Sequence, residues 1–202
     1  TRMLAALGHD LRSPLTAMRV QAEMVDDIET RDSLVASVEE MQGMVDATLT
    51  FARGLTGSEQ PETVDLHDFL EALCADMPRG FVIDAGPRVE ARLRPNAMRR
   101  ALRNVIENAD RYGGGATVGW HRQGDTLVLT VEDDGPGIPE ADFDQVFEPF
   151  TRLETSRSQE TGGVGLGMAI ARNIVRAHGG DISLQNLTPR GLRVQVTLPL
   201  PH

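Results

Sequence analysis

A histidine followed by an acid, His9-Asp10, stands within the string Gly8-His9-Asp10-Leu11-Arg12-Ser13-Pro14-Leu15-Thr16. An imidazole is a nucleophile when one ring nitrogen is held by a hydrogen bond to a neighbouring carboxylate, and Asp10 is adjacent for that task. Ser13 follows one helical turn later on the face of His9, because positions i and i+4 are helical neighbours. A nucleophile of this kind needs a donor. Asn104, Asn108 and Arg111 recur at four- and three-residue steps, so two amide carbonyls that can support Mg²⁺ and a guanidinium that can contact phosphate share one helical face. Glu132-Asp133-Asp134-Gly135-Pro136-Gly137-Ile138-Pro139 follows a strand-like run; its glycines allow a tight turn, and a carboxylate at a strand end can accept from an adenine amino group. Gly162-Gly163-Val164-Gly165-Leu166-Gly167 leads into a helical pattern, whose free backbone amides and positive dipole end suit a triphosphate. Taken singly, each has a plain structural reading: a solvated helix face, a strand-to-loop turn, a glycine-rich connection.

Composition removes several other chemistries. Of 202 residues, 30 are acidic and 20 basic, giving a net charge of −10 and a pI near 4.9, and all the basic residues are arginine. Without lysine there is no Walker A phosphate lysine, no strand lysine of the eukaryotic protein-kinase type and no Schiff base. The acidic balance speaks against sequence-independent nucleic-acid binding, which relies on a clustered basic face. The single Cys74 precludes an internal disulfide or a thiolate metal site and fits a reducing compartment. It falls in the apolar pattern Phe69, Leu70, Leu73, Met77 and reads as a packed residue. His67, His121 and His202 lack metal-ligand spacing; His178, before Gly179-Gly180, reads as part of a helix C-cap. Trp120 reads as a strand residue packing the sheet. No apolar run approaches the roughly 20 residues of a membrane span, and no signal peptide is evident. The expectation is a soluble, cytoplasmic piece of a longer protein, with any membrane attachment in parts outside this chain.

These residues must be positioned by two kinds of element. Over residues 1–54, Leu4, Leu7, Leu11, Leu15, Met18, Ala22 and Val25 mark the apolar stripe of one helix, and Leu34, Val38, Met41, Val45, Leu49 and Ala52 that of a second. Thr30 is the expected N-cap and Gly54 the expected stop of the second helix. The short acidic connection Asp26–Glu29 makes the pair an antiparallel hairpin. His9 falls on the side away from the stripe and is expected to be exposed, and Pro14 removes an amide donor and predicts a bend just beyond it. A two-helix hairpin has too little core to stand alone, so pairing with a second copy into a four-helix bundle is expected. Residues 55–61 read as a linker. Residues 62–202 hold most of the glycines and prolines and five of the six phenylalanines. Strand-like runs occur at 81–84, 89–93, 117–120, 127–132, 182–185 and 192–198, and helical patterns at 66–77, 96–112 and 166–178. The fold class is α+β: a mixed sheet with helices on one face, preceded by the hairpin.

The string around His9 resembles the H-box of two-component sensor histidine kinases, with Ser13 where threonine is commoner. Asn104-Val105-Ile106-Glu107-Asn108-Ala109 followed by Arg111-Tyr112 resembles the N-box of that family, Asp133-Asp134-Gly135-Pro136-Gly137 its G1-box, Phe147-Glu148-Pro149-Phe150 its F-box and Gly163-Val164-Gly165-Leu166-Gly167 its G2-box. The five boxes occur in family order. The resemblance implies a Bergerat-type ATP-binding domain, the fold of gyrase, Hsp90 and MutL ATPases, at 62–202, and a dimerisation and phosphotransfer hairpin at 1–54. It implies that His9 attacks the γ-phosphate of ATP, that Asp10 assists, and that Ser13 bears on phosphatase activity toward the partner. It further implies Asn108 as main Mg²⁺ ligand with Asn104 supporting, Arg111 on phosphate, Tyr112 packed on the base and Asp133 reading the adenine amino group. Gly135, Gly137, Ile138, Phe150 and the glycine loop Gly163 to Gly167 would line the nucleotide, and Arg152 and Arg157 would reach phosphate. The implied activity is a protein-histidine kinase acting as a homodimer and passing phosphate to an aspartate of a response regulator. Two other readings remain open from the residues: an ATPase that drives a clamp, in which a glutamate would be expected at the Asn104 position as base, and a nucleotide-binding scaffold without turnover.

Overall fold

The computed structural model describes residues 2–54, 59–84, 86–151 and 165–200. Two helices come first, α1 (Arg2–Glu23) and α2 (Ile28–Gly54), packed as a hairpin. α1 is continuous through Pro14. Its stripe is only partly covered: Leu15 and Ala22 are buried, whereas Leu11 and Met18 are exposed, Met18 by 50%. On α2 Val38 is buried and Leu34 and Met41 are exposed. α2 starts two residues before Thr30, whose amide donates to Asp27 Oδ2 at 2.9 Å. Asp27 therefore caps this helix and Thr30 does not; an aspartate just ahead of the first turn satisfies an orphan amide and meets the dipole with negative charge.

Beyond the hairpin come β1 (Glu62–Asp65), α3 (Leu66–Ala75), β2 (Val82–Ile83), β3 (Glu90–Leu93), α4 (Pro95–Gly113), β4 (Thr117–Gln123), β5 (Thr126–Asp133), two 3-10 turns (Glu140–Asp142 and Gln145–Phe147), α5 (Gly167–Arg176), β6 (Asp181–Asn186) and β7 (Leu192–Pro199). β1 pairs antiparallel with β3, and the main sheet has the order β2-β4-β5-β7-β6, antiparallel except for the parallel β2/β4 pair. Alternation decides the inner face: Leu127, Leu129 and Val131 of β5 join Val194 and Val196 of β7 in one core with Met98, Leu102, Val105 and Ile106 of α4 and Ala171, Ile174 and Val175 of α5. Trp120 is buried in the same core, its Nε1 donating to Pro87 O at 2.8 Å.

The ends of α4 and α5 are tied by side chains distant in sequence. α4 opens with Pro95 at its first position and no side-chain cap from its own segment. Glu59, just past residues 55–58, supplies the cap: Oε1 accepts from the Asn96 amide at 2.8 Å and from Asn96 Nδ2 at 2.9 Å, and Oε2 from the Ala97 amide at 3.1 Å. His178 lies one residue beyond the C-cap Ala177. Its Nδ1 sits 2.7 Å from Ile174 O, and its Nε2 accepts from the Arg94 amide at 3.0 Å. The ring is thus a neutral tautomer joining the end of α5 to the start of α4, a larger role than a local cap. Cys74 is an ordinary partly buried side chain, its Sγ bonded to the backbone of Phe81.

Candidate active site

Four stretches converge around the outer face of α4. Its inner face is buried in the core, leaving Asn104 and Asn108 half-buried and Arg111 and Tyr112 exposed near its C-terminal end. Asn104 Nδ2 is buried and has no hydrogen-bond partner among the described residues. Such a donor costs free energy unless a ligand or water meets it.

The strand end of β5 lies against the last turn of α4. Asp133 Oδ1 accepts from the Gly135 amide at 2.8 Å and the Leu192 amide at 3.3 Å. Burial pushes the Asp133 carboxyl above the ordinary carboxylate range; the two amides oppose that shift and the charge of Asp134 adds to it. Gly135 is required by space: a Cβ there would sit 2.8 Å from Asp133 Oδ1 and 2.9 Å from Tyr112 O. Asn186, from the end of β6, clamps the next turn, Oδ1 accepting from the Ile138 amide at 2.9 Å and Nδ2 donating to Ile138 O at 2.8 Å. Asn186 and the Leu192 amide carry no motif; only the pairing of β6 with β7 and of β7 with β5 brings them here.

The second glycine stretch is held from the other side. The Phe150 amide donates to Gly165 O at 3.0 Å, and Phe150 takes φ +66 and is 56% exposed. A non-glycine residue in that region stores strain of about 1 kcal/mol or more and persists only where its surroundings hold it. Gly165 has φ +72, and a Cβ would meet Thr151 O at 2.8 Å, so only glycine fits. Gly167, the first residue of α5, faces Asn104, with a Cβ there 3.7 Å from Asn104 Cβ and Cγ. The start of α5 thereby meets the Asn104 face of α4. Phe147 lies under the guanidinium of Arg172, 4.3 Å from ring centroid to Cζ.

His9, Asp10 and Ser13 all lie on α1; Asp10 and Ser13 are exposed, and Arg12, Ser13, Thr16, Ala17 and Val20 line an open groove. The expected exposure of the His9 side chain lies outside the described residues, as do Arg152, Arg157, Gly163 and Val164. The donor set on α4 fits Mg²⁺ only in company with phosphate. No cluster of three metal-binding His, Cys, Asp or Glu side chains exists among the described residues, and amide oxygens alone would leave most positions of an octahedral ion to phosphate and water. The orphaned amide of Asn104 beside the first glycine of α5 fits the same picture, a polar ligand between α4 and α5.

Comparison with known proteins bears on this arrangement. Residues 94–202 match a family model described as histidine kinase-, DNA gyrase B- and HSP90-like ATPase, and residues 1–57 match the His Kinase A (phospho-acceptor) domain. The chain is 35% identical to the sensor histidine kinase GtrS of Pseudomonas aeruginosa over 98% of its own length and 41% of that protein's. It is 31% identical to the sensor protein RstB of Escherichia coli over 100% of its length and 49% of that protein's. It therefore spans less than half the length of these two relatives. Among solved structures, full-length ShkA in complex with AMPPNP superposes with a TM-score of 0.72 at 24% identity, covering 98% of this chain and 45% of that one, which speaks to the fold. With an ATPase portion that occupies more than half of its residues and a phospho-acceptor domain ahead of it, the chain belongs to the histidine kinases of the histidine kinase-, DNA gyrase B- and HSP90-like ATPase family.

Proposed function

We propose that this chain is the core of an ATP-dependent sensor histidine kinase, which phosphorylates His9 and passes the phosphoryl group to an aspartate of a response regulator. The observation that carries this reading is the presence on one chain of a phospho-acceptor domain and a separate ATPase domain. In the reaction an imidazole nitrogen of His9 forms a bond to the γ-phosphorus while the bond to the ADP oxygen breaks. Asp10 is adjacent to hold the ring and accept its proton. Most of the rate then comes from positioning and charge neutralisation. Asp133 offers Oδ2 to the adenine amino group while Oδ1 is committed to the backbone. Arg111, the amides of the glycine stretch that leads into α5 and the Asn104 amide group would contact the phosphates, and Tyr112 would pack beside the base. Asn108, supported by Asn104, would hold Mg²⁺, which when bound neutralises phosphate charge. Asn104 cannot abstract a proton from water, which suits a donor kept for a histidine rather than spent on hydrolysis.

The hairpin supplies the remaining roles. Its exposed apolar residues Leu11, Met18, Leu34 and Met41 are an uncovered stripe suited to a second copy, giving a four-helix bundle. The groove beside Ser13 faces the regulator, and the Ser13 hydroxyl is available to orient water in the reverse, phosphatase reaction. Among the described residues no helix is long and apolar enough to cross a membrane, so an anchor would belong to another part of the protein.

Incubation with Mg-ATP carrying a labelled γ-phosphate tests the reading. The expected product is acid-labile, base-stable phosphate on the protein, absent in His9→Gln while ATP still binds. Label retained in that variant would refute the assignment.

A further inference from the structure

We infer that Arg172 is a positioning residue for nucleotide binding, holding the Phe147–Phe150 segment against α5 so that Phe150 keeps the Gly165 turn in shape. This rests on the proposed nucleotide site. Arg172 lies on α5, five residues past Gly167, with 21% of its side chain exposed. Its Nε donates to Asp181 Oδ1 at 2.9 Å, and its guanidinium covers the Phe147 ring at 4.3 Å. That is well inside the roughly 6 Å reach of a cation–π contact.

The ion pair alone does not account for this arrangement. Asp181 also receives Arg176 Nε and Nη2, each at 3.1 Å, so loss of Arg172 leaves the carboxylate paired. Both arginines hold the Asp181 carboxyl below the usual carboxylate range. What Arg172 does and Arg176 does not is cover Phe147. From that ring the chain runs without slack to the phosphate turn: Glu148 N donates to Gln145 O at 3.0 Å, Thr151 N to Glu148 O at 3.3 Å, and Phe150 N to Gly165 O at 3.0 Å. Phe150 is held at φ +66, a conformation that persists only when its surroundings impose it. A loosened Phe147 would let Phe150 relax, and Gly165 would lose the partner that fixes its carbonyl. The amides leading into α5 would then be ordered at the moment of binding, at a cost to affinity. An arginine sharing one aspartate with a neighbour would on its own be a surface ion pair of small effect.

The test measures ATP and ADP binding calorimetrically on the whole chain, with thermal midpoints in parallel. Arg172→Met, which keeps the stem and removes the cation, is expected to weaken nucleotide binding about 5- to 10-fold, with the midpoint nearly unchanged. Arg172→Lys, which keeps a cation over the ring, is expected to recover most of that loss. Phe147→Leu is expected to match Arg172→Met, and the double variant to be no worse than either single one. In labelling assays the half-saturating ATP concentration rises more than the rate at saturation falls. Unchanged nucleotide affinity in Arg172→Met, a lysine variant as poor as the methionine one, or fully additive losses would each overturn the inference. A wild-type chain that binds no nucleotide would instead overturn the functional reading on which it rests.

Discussion

Asp133→Asn separates the two oxygens of one carboxylate. Oδ1 accepts from the Gly135 and Leu192 amides, and in the proposed reading Oδ2 is the oxygen offered to the base. An asparagine whose carbonyl takes the place of Oδ1 keeps both backbone bonds and turns an NH₂ toward the ligand, so a donor meets the amino donor of adenine. The fold is retained and base recognition is lost. Removing a hydrogen bond to a charged acceptor costs about 1.5–3 kcal/mol, and the half-buried setting of Asp133 places the effect near the lower figure. At about 1.4 kcal/mol per decade this is a loss of roughly tenfold or somewhat more in ATP affinity. Calorimetric titration with ATP and GTP checks it: the ATP preference of the wild type should collapse in the variant, while GTP binding changes little. The pH dependence gives a second arm. Burial raises the Asp133 carboxyl above the ordinary range, so protonation removes the Oδ2 acceptor at a pH where an exposed aspartate stays charged. The wild-type advantage over Asn therefore shrinks on acidification through that raised value, and comparing the two proteins cancels any titration of ATP itself. For folding the sign is opposite to that of a salt-bridged acid. The native state binds the proton more tightly, so this group's contribution is fully present below the unfolded value and lost as pH rises through the folded one. An asparagine variant with wild-type ATP affinity and unchanged ATP preference would refute the base-reading role.

Two further outcomes follow from packing. Glu59→Ala removes the cap from the Asn96 and Ala97 amides and should lower stability by about 1 kcal/mol, a shift of a few degrees in thermal unfolding; an unchanged midpoint would show that the cap contributes nothing. Gly135→Ala drives a Cβ against Tyr112 O and Asp133 Oδ1 and should weaken ATP binding about tenfold or more with the circular dichroism spectrum preserved. Wild-type binding would mean that this turn does not have to stay close to α4.

Much of this architecture was legible because it is periodic or local. The apolar spacing of α4 and α5 and the alternation of β5 and β7 produce their burial directly, and Asn104 and Asn108 share a face because both lie on one helix. β1 escaped because Glu62-Thr63-Val64-Asp65 is short and mostly polar and exists only through its pairing with β3. Thr and Asp are both good cap residues, so the sequence alone does not separate Thr30 from Asp27; the bond donated by the Thr30 amide assigns the cap to Asp27. The supports of the candidate site were invisible for a different reason. Asn186 reaches Ile138 across 48 residues, Glu59 reaches Asn96 across 37, and His178 reaches Arg94 across 84. No window of sequence contains both partners of such a bond.

The Glu59 cap also sets a length. Because it is fastened to the start of α4 and α2 ends at Gly54, the chain between the two fixed points crosses five Cα steps, at most about 18 Å. The Arg19–Glu39 ion pair at 3.2 Å gives the hairpin register, which sets His9 about level with residue 49 and leaves α2 to run roughly 8 Å further. The part of the chain that follows is therefore moored by a short tether whose anchorage lies about a turn and a half from the level of His9. In the proposed kinase such a tether would hold the local concentration of nucleotide site around a histidine on the order of millimolar however dilute the protein, which would favour phosphorylation within one assembly over encounters between separate molecules.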